Sequence, residues 1–326
     1  MIDWSAFREL VARGRRFVLT SHMRPDCDAL GSELGMAAVL TALGKDVRIV
    51  NGDTVPPHLK FIDPAGRIET LGETKSPIEL TATDVLLVLD TSAWVQLGPM
   101  AEVVRTTPAV KAVVDHHVSE DDLSAAVFKN VRAPACGLLI VQAADALGVE
   151  LNAEIAVPLF AAVATDTGWF RFASVDADTY RAAGRLIDAG ARPAELYSAL
   201  YEHETLARLH LRGRILSQVA SELNGRLIWS QVTLADFADT GATTTDTEEV
   251  INMLLRVAGA QAALLFVELA GGKVKASFRS NSAVNVREVA EQFGGGGHTM
   301  AAGATVAEPL ASACEKILDA MRKAMR

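Results

Sequence analysis

The sequence is short of the features that mark secreted, membrane-bound and polymer-tracking proteins. Its 326 residues include three cysteines, Cys27, Cys136 and Cys314. Their odd number and long spacings suit neither a disulfide framework nor a zinc ribbon, so a reducing cytoplasm is the expected compartment. The longest apolar run, residues 155–164, is about half a membrane span and contains Pro158, so no spanning helix and no membrane partner are expected. The start, Met1-Ile2-Asp3-Trp4, lacks the basic-then-apolar order of a secretion signal. Basic residues are outnumbered, leaving a net charge of −9. That balance excludes a long electrostatic track, and with it long duplex nucleic acid as a partner, while small anionic substrates remain open. The acidic excess lies before Asn224, where 29 acidic residues face 21 basic ones, against 11 and 10 from there on.

The length itself favours two domains, each able to bury its own core. Short aliphatic runs alternate with helical periods over residues 16–185, the pattern of a mostly parallel sheet with helices on both faces. The runs 17–20, 47–50, 85–89 and 112–114 read as strands buried on both sides. Helices are predicted over 29–43, closed by Gly44, over 137–147 and 153–163, and over 178–189, closed by Gly190. Residues 193–223 are helix-forming throughout, with no strand signal. After Gly225 a smaller α/β unit is predicted, with strands over 226–233, 262–269 and 274–278 and helices over 248–257 and 310–325. The expected layout is thus an N-terminal α/β domain over residues 1–190, a helical linker over 191–224 and a C-terminal α/β domain over 225–326.

Four polar motifs follow, or lie close to, apolar runs, the place where an open α/β sheet presents its binding crevice. They are Ser21-His22-Met23-Arg24-Pro25-Asp26-Cys27-Asp28-Ala29, Asp90-Thr91-Ser92, Asp115-His116-His117 and Thr165-Asp166-Thr167-Gly168. Singly, each reads as a turn or a helix cap. Together they make a set of carboxylates and imidazoles suited to a borderline-hard divalent ion, and without cysteine pairs that chemistry favours Mn²⁺ over structural zinc. Asp26 and Asp28 are two apart in a loop, a spacing that can aim them at two different ions. Two ions roughly 3.5–4 Å apart can clamp a phosphate and share a hydroxide whose parent water has a pKa of about 7. Four aspartates, Asp26, Asp28, Asp90 and Asp166, offset two dications and repel one another without them.

In this order, His-x-x-Pro-Asp-x-Asp-Ala-Leu-Gly-Ser, Asp-x-Ser, Asp-His-His and Thr-Asp-Thr-Gly resemble the four motifs of the DHH phosphoesterases. The resemblance implies two Mn²⁺ per active site, with Mg²⁺ or Co²⁺ as substitutes. His22, Asp26 and Asp90 would bind one ion, and Asp28, Asp90, His116 and Asp166 the other, with Asp90 as the bridge. His117 would face the substrate phosphate as hydrogen-bond or proton donor, and Asp115 would hold a histidine tautomer. One departure stands out. Where the family usually shows a Ser/Thr and an acidic residue opening the helix after the third motif, this chain reads Pro134-Ala135-Cys136-Gly137-Leu138, so no phosphate-binding hydroxyl is expected there.

In the second domain, Phe293-Gly294-Gly295-Gly296-Gly297-His298 can expose consecutive backbone N–H groups to an anion, and Arg279, before Ser280, can make a bidentate contact with phosphate or base. This pairing resembles the DHH-associated C-terminal domain, whose Arg-Ser pair and Gly-Gly-Gly-His loop bind the nucleotide. On that resemblance Arg279, Ser280, Gly295, Gly296, Gly297 and His298 bind substrate in a cleft between the domains. The implied branch is that of nanoRNases that also act as pAp phosphatases. Its substrates would be 3′-phosphoadenosine 5′-phosphate (pAp) and oligonucleotides of about 2–5 nucleotides, since the acidic surface adds little binding for longer strands. The alternatives are a phosphodiesterase for linear or cyclic dinucleotide messengers and, in a different class, a non-catalytic nucleotide sensor. A homodimer is the general statistical expectation.

Overall fold

A computed structural model describes residues 2–73, 80, 82–202, 204–247 and 249–326. The chain divides into two compact units, Met1–His203 and Glu204–Arg326.

The first unit is built on six parallel strands: β1 (Arg16–Thr20), β2 (Asp46–Asn51), β3 (Ile68–Thr70), β4 (Val85–Leu89), β5 (Val110–Asp115) and β6 (Ala126–Lys129). Their order is β3-β2-β1-β4-β5-β6. The four predicted strands fall within β1, β2, β4 and β5. The strands β3 and β6, of three and four residues, are too short to show as runs. Because side chains alternate across a strand, Phe17, Leu19, Leu87, Leu89 and Val114 enter one core, while Val18, Leu86, Val88 and Val113 enter another on the opposite face. The winding direction reverses between β1 and β4, and ligands of doubly wound sheets bind beyond the carboxyl ends of strands at such a switch point.

One face is covered by helices Cys27–Ala42, Cys136–Leu147 and Ala153–Asp166. The first of these is apolar on nearly every side, and residues 27–40 are all buried. Its approach to helix Ala153–Asp166 depends on glycine. A Cβ at Gly31 would lie 2.4 Å from the Pro158 carbonyl oxygen, and one at Gly35 would lie 2.4 Å from Leu159 Cδ2. Both helices carry residues of the polar motifs, so this close packing also sets their separation.

The second unit has strands β7 (Ala220–Glu222), β8 (Leu227–Val232), β9 (Ala262–Leu269), β10 (Lys273–Ser280), β11 (Gly296–His298) and β12 (Ala301–Val306), in the order β11-β12-β10-β9-β8-β7. Among the described residues of this sheet, only the β8–β9 pair is parallel. Residues 193–223 differ from the expectation of unbroken helix. Helices Pro193–Tyr201 and Leu206–Ser217 are followed by β7, which pairs antiparallel with β8. The physical reason is the turn: Leu223, Asn224 and Gly225 all have positive φ, of 52°, 57° and 87°, and Asn-Gly is a strong hairpin signal that reverses the chain onto β8. Glu222 anchors the strand by accepting hydrogen bonds from Trp229 Nε1 and from the Arg322 guanidinium. Glu248, the expected start of a helix, lies outside the described residues, and the helix there spans Val250–Leu254. Among the described residues no helix is long and apolar enough to cross a membrane.

The glycine packing is directly testable. Gly35→Ala should cost about 1–3 kcal/mol through overpacking. Gly184→Ala, at a helix position where a Cβ meets nothing within 4 Å, should gain up to about 1 kcal/mol. Denaturant melts of the two variants would show the opposite signs, and equal behaviour would contradict the close approach.

Candidate metal centre

The four polar motifs converge at the carboxyl ends of β1, β4 and β5. Ser21 and His22 leave β1, Asp90 follows β4, Asp115 ends β5 ahead of His116 and His117, and Asp166 ends helix Ala153–Asp166. Asp90 has φ +62°, a left-handed conformation that costs a non-glycine residue on the order of 1–3 kcal/mol and is found where a site demands it. Its N–H is tied to the Val114 carbonyl of β5 at 3.0 Å. Asp26 caps helix Cys27–Ala42, and its Oδ1 accepts from the N–H groups of Asp28 and Ala29. The bland reading of Asp26 as a cap is therefore true as well, because the cap is what aims the carboxylate into the cluster.

Asp90 stands at the centre. Its Oδ2 is 3.4 Å from His22 Nε2 and its Oδ1 is 3.3 Å from His116 Nε2. His22 Nε2 is also 3.9 Å from Asp26 Oδ1. His116 Nε2 is also 3.7 Å from Asp28 Oδ2 and 3.5 Å from Asp166 Oδ2. Ligand atoms of His22, Asp26 and Asp90 lie within 4.8 Å of one another, as do those of Asp28, His116 and Asp166 and those of Asp90, His116 and His117. Each of the two inner imidazoles is turned by a backbone carbonyl: His22 Nδ1–H donates to Met23 O at 2.9 Å and His116 Nδ1–H to Ala133 O at 3.1 Å. Both Nε2 atoms are thereby left to face the carboxylates, the arrangement a ligating histidine needs. The Asp90 Oδ1 atom is buried without a hydrogen-bond partner, an orphaned acceptor that a cation would satisfy.

The electrostatics match a group of anions waiting for positive charge. Burial, then the charges of Asp90 and Asp166, pushes the Asp28 carboxyl well above the usual carboxylate range. Asp28 is nevertheless held by the amino end of helix Cys136–Leu147, accepting from Cys136 N at 2.7 Å and Gly137 N at 2.8 Å. Ala135, ahead of this helix, makes no side-chain cap, and Asp28 caps it instead. Burial would lower the pKa values of His22 and His116, but their close approach to the Asp90 carboxylate prevails and raises both to about 9. Protons thus occupy the positions that dications would take, and metal binding to such ligands displaces them.

His117 is set differently. Its Nδ1–H donates to Asp115 Oδ1 at 2.9 Å, and its side chain is 49% exposed. Asp115 is fully buried, and burial alone would raise its pKa. Hydrogen bonds from the His117 ring and backbone N–H and from Ser92, with the charge of Lys129, hold it well below the usual range instead. In turn the hydrogen bond to Asp115 raises the pKa of His117.

Residues 16–165 match the DHH family N-terminal domain and residues 215–326 match the DHHA1 domain. The bifunctional oligoribonuclease and PAP phosphatase NrnA of Thermus thermophilus is 31% identical over 94% of this chain and 89% of its own. The chain belongs to the DHH family. An exopolyphosphatase-related protein from Bacteroides fragilis shares the fold, with a TM-score of 0.84 at 23% identity over 98% of this chain and 95% of the other. The exonuclease RecJ bound to manganese aligns at a TM-score of 0.52 and 16% identity over 99% of this chain and 93% of the other.

Within the DHHA1 domain the register is informative. Arg279 of β10 and His298 of β11 both pair with Ala301 of β12, so they stand on one face of the sheet with a single strand between them. Ser280 is buried, and its hydroxyl lies 3.2 Å from the Gln261 carbonyl. The glycine run differs from a free concave loop. The N–H groups of Gly294 and Gly295 bond back to Glu291 and Ala290, and Gly296 and Gly297 belong to β11. A Cβ at Gly295 would meet the Gly303 carbonyl at 2.2 Å, so glycine serves close strand contact there.

Several supporting groups of the DHH domain carried little sequence signal. Glu33 is fully buried, and its Oε2 accepts from Asn51 Nδ2 at 2.8 Å. Asn51 Oδ1 in turn accepts from Ser21 N, next to His22. A carboxyl inside an otherwise apolar helix face was the one available hint. Burial, only partly opposed by Asn51, lifts Glu33 to about 8. The fold therefore keeps a proton that the unfolded chain releases near pH 4.5, and this term lowers stability as pH rises from about 4.5 to about 8. Metal-free Glu33→Gln should match the parent at pH 5 and melt progressively higher than it towards pH 8. A difference independent of pH would contradict a protonated Glu33.

Proposed function

We propose that the chain is a Mn²⁺-dependent phosphoesterase that hydrolyses very short oligonucleotides and removes the 3′-phosphate of pAp. The observation that carries the reading is Asp90, which offers one oxygen to the His22 side of the cluster and the other to the His116 side. Relatives supply the substrate class, because the Thermus thermophilus protein is named for both activities, and the RecJ neighbour was solved with manganese. In this reading His22, Asp26 and Asp90 hold one ion, and Asp28, Asp90, His116 and Asp166 hold a second. Bound there, the ions would supply a water acidic enough to form hydroxide near neutral pH and would offset phosphate charge.

The chain's own residues do the rest. Asp115 fixes the His117 ring through Nδ1, leaving Nε2 to donate a hydrogen bond or a proton to a phosphate or leaving oxygen. Asp90, held in its strained turn, keeps both carboxylate oxygens among the imidazoles. In the DHHA1 domain, Arg279 and His298 share a sheet face and provide guanidinium and imidazole donors for the nucleotide, with Ser280 and Gly295, Gly296 and Gly297 shaping the backbone around them. The three cysteines are free and buried, in keeping with a cytoplasmic enzyme.

One Mn²⁺ assay with pAp, a linear dinucleotide, a cyclic dinucleotide, pyrophosphate and a long single strand tests the assignment. Turnover should be confined to pAp and the short linear substrate, and a preference for the cyclic or the long one would redirect it. His117→Ala should keep its bound Mn²⁺ and lose about 10²-fold in kcat, whereas His116→Ala should lose metal. Metal loss of equal severity in both would show that the two histidines have been exchanged.

A further inference from the structure

Lys129 ends β6, and in the parallel β5–β6 ladder it pairs directly with Asp115. Its side chain is 8% exposed. A buried ammonium must find acceptors for its three protons. This one has the Ser92 hydroxyl oxygen at 2.7 Å, the Ser119 carbonyl at 2.8 Å and Asp115 Oδ2 at 3.2 Å, with Glu120 Oε2 further out at 3.4 Å. Ser92 lies two residues after Asp90. Accepting from Lys129, its hydroxyl is free to donate its own hydrogen to Asp115 Oδ2, 2.6 Å away. The other carboxylate oxygen, Oδ1, accepts from the His117 ring and from the His117 backbone N–H at 3.0 Å. One cation thus joins the second motif, through Ser92, to the third, through Asp115, and fastens the following loop at Ser119.

The charge balance gives this arrangement its consequence. Asp115 is fully buried, and a carboxylate without a counter-charge in such a place is strongly disfavoured. With Lys129 present, the Asp115 carboxylate has a cation on its Oδ2 side, and its Oδ1 side is left for the His117 ring. With an apolar residue at 129, the Oδ2 side of Asp115 would lose its cation and the Ser92 hydroxyl the donor that fixes it, and either loss changes the hydrogen bond that orients the ring. The ammonium lies among Asp115, Ser92 and the Ser119 carbonyl, so its effect on the reaction passes through Asp115.

We propose that Lys129 is a positioning residue of the hydrolytic reaction, holding Asp115 and Ser92 so that the His117 imidazole presents Nε2 to the substrate. The proposal rests on the role given to His117 above. A purely structural ion pair that only secures the edge strand β6 would alter melting temperature and the folded fraction, but not turnover per folded molecule.

The test is a double-mutant cycle in kcat between Lys129→Met and His117→Ala, with Mn²⁺ content and KM measured on each folded variant with pAp. Lys129→Met alone should lower kcat on the order of tenfold or more, with KM within about twofold and Mn²⁺ stoichiometry unchanged. In the His117→Ala background the same substitution should change kcat by less than about twofold, because residues acting through one another are not additive. If Lys129→Met does not fold, Lys129→Gln and Lys129→Arg replace it, and the arginine variant should retain the higher kcat because it keeps the charge. Unchanged kcat in Lys129→Met, equal losses in both backgrounds, loss of Mn²⁺, or equal activity of the glutamine and arginine variants would each overturn the proposal. If His117→Ala itself turned over like the parent, the fault would lie instead with the role assigned to His117.

Discussion

Mutual repulsion among Asp26, Asp28, Asp90 and Asp166 is the constraint on which the rest of the first unit depends. Carboxylates so gathered need positive charge between them, and burial with neighbouring carboxylates raises the pKa values of Asp28 and Asp166. In the metal-free chain that charge comes from protons on His22 and His116, both lifted to about 9 mainly by Asp90 against the effect of burial, and from the amino end of helix Cys136–Leu147 at Asp28. Two dications would meet the same need with more charge and no change in the identity of the ligands.

The scaffold around this cluster separates two tasks. Gly31 and Gly35 bring two helices close enough for Asp28 and Asp166 to share His116. Asn51, held by Glu33, fixes the backbone just ahead of His22. On the other side, Asp115, Ser92 and Lys129 form a buried charge-balanced group behind His117. Under the proposed function, one set of contacts would place ligands for metal and the other a donor for substrate.

Much of this was legible in the sequence because the carriers were long or local. The runs at 17–20 and 85–89 gave two strands, and the polar residues directly after them marked the crevice. The four motifs needed no structure to be read as one set. What stayed hidden was non-local or short. Lys129 sits on a four-residue edge strand, and its meaning comes only from pairing with Asp115 across the sheet. The hairpin at β7 was lost in a helix-forming stretch, although Asn224-Gly225 marks its turn. In the glycine run, composition suggested free N–H groups, whereas the helix end and β12 engage several of them, because a sequence cannot show which backbone donors are already in use. The capping of helix Cys136–Leu147 by Asp28 was equally invisible, since Asp28 lies 108 residues before Cys136.

The most direct test of the central claim is an anomalous difference map at the manganese edge, from crystals grown with Mn²⁺. The account predicts two peaks about 3.5–4 Å apart, one beside His22 and Asp26, the other beside His116, Asp28 and Asp166, with Asp90 touching both. A single peak, or a pair that Asp90 does not bridge, would contradict it.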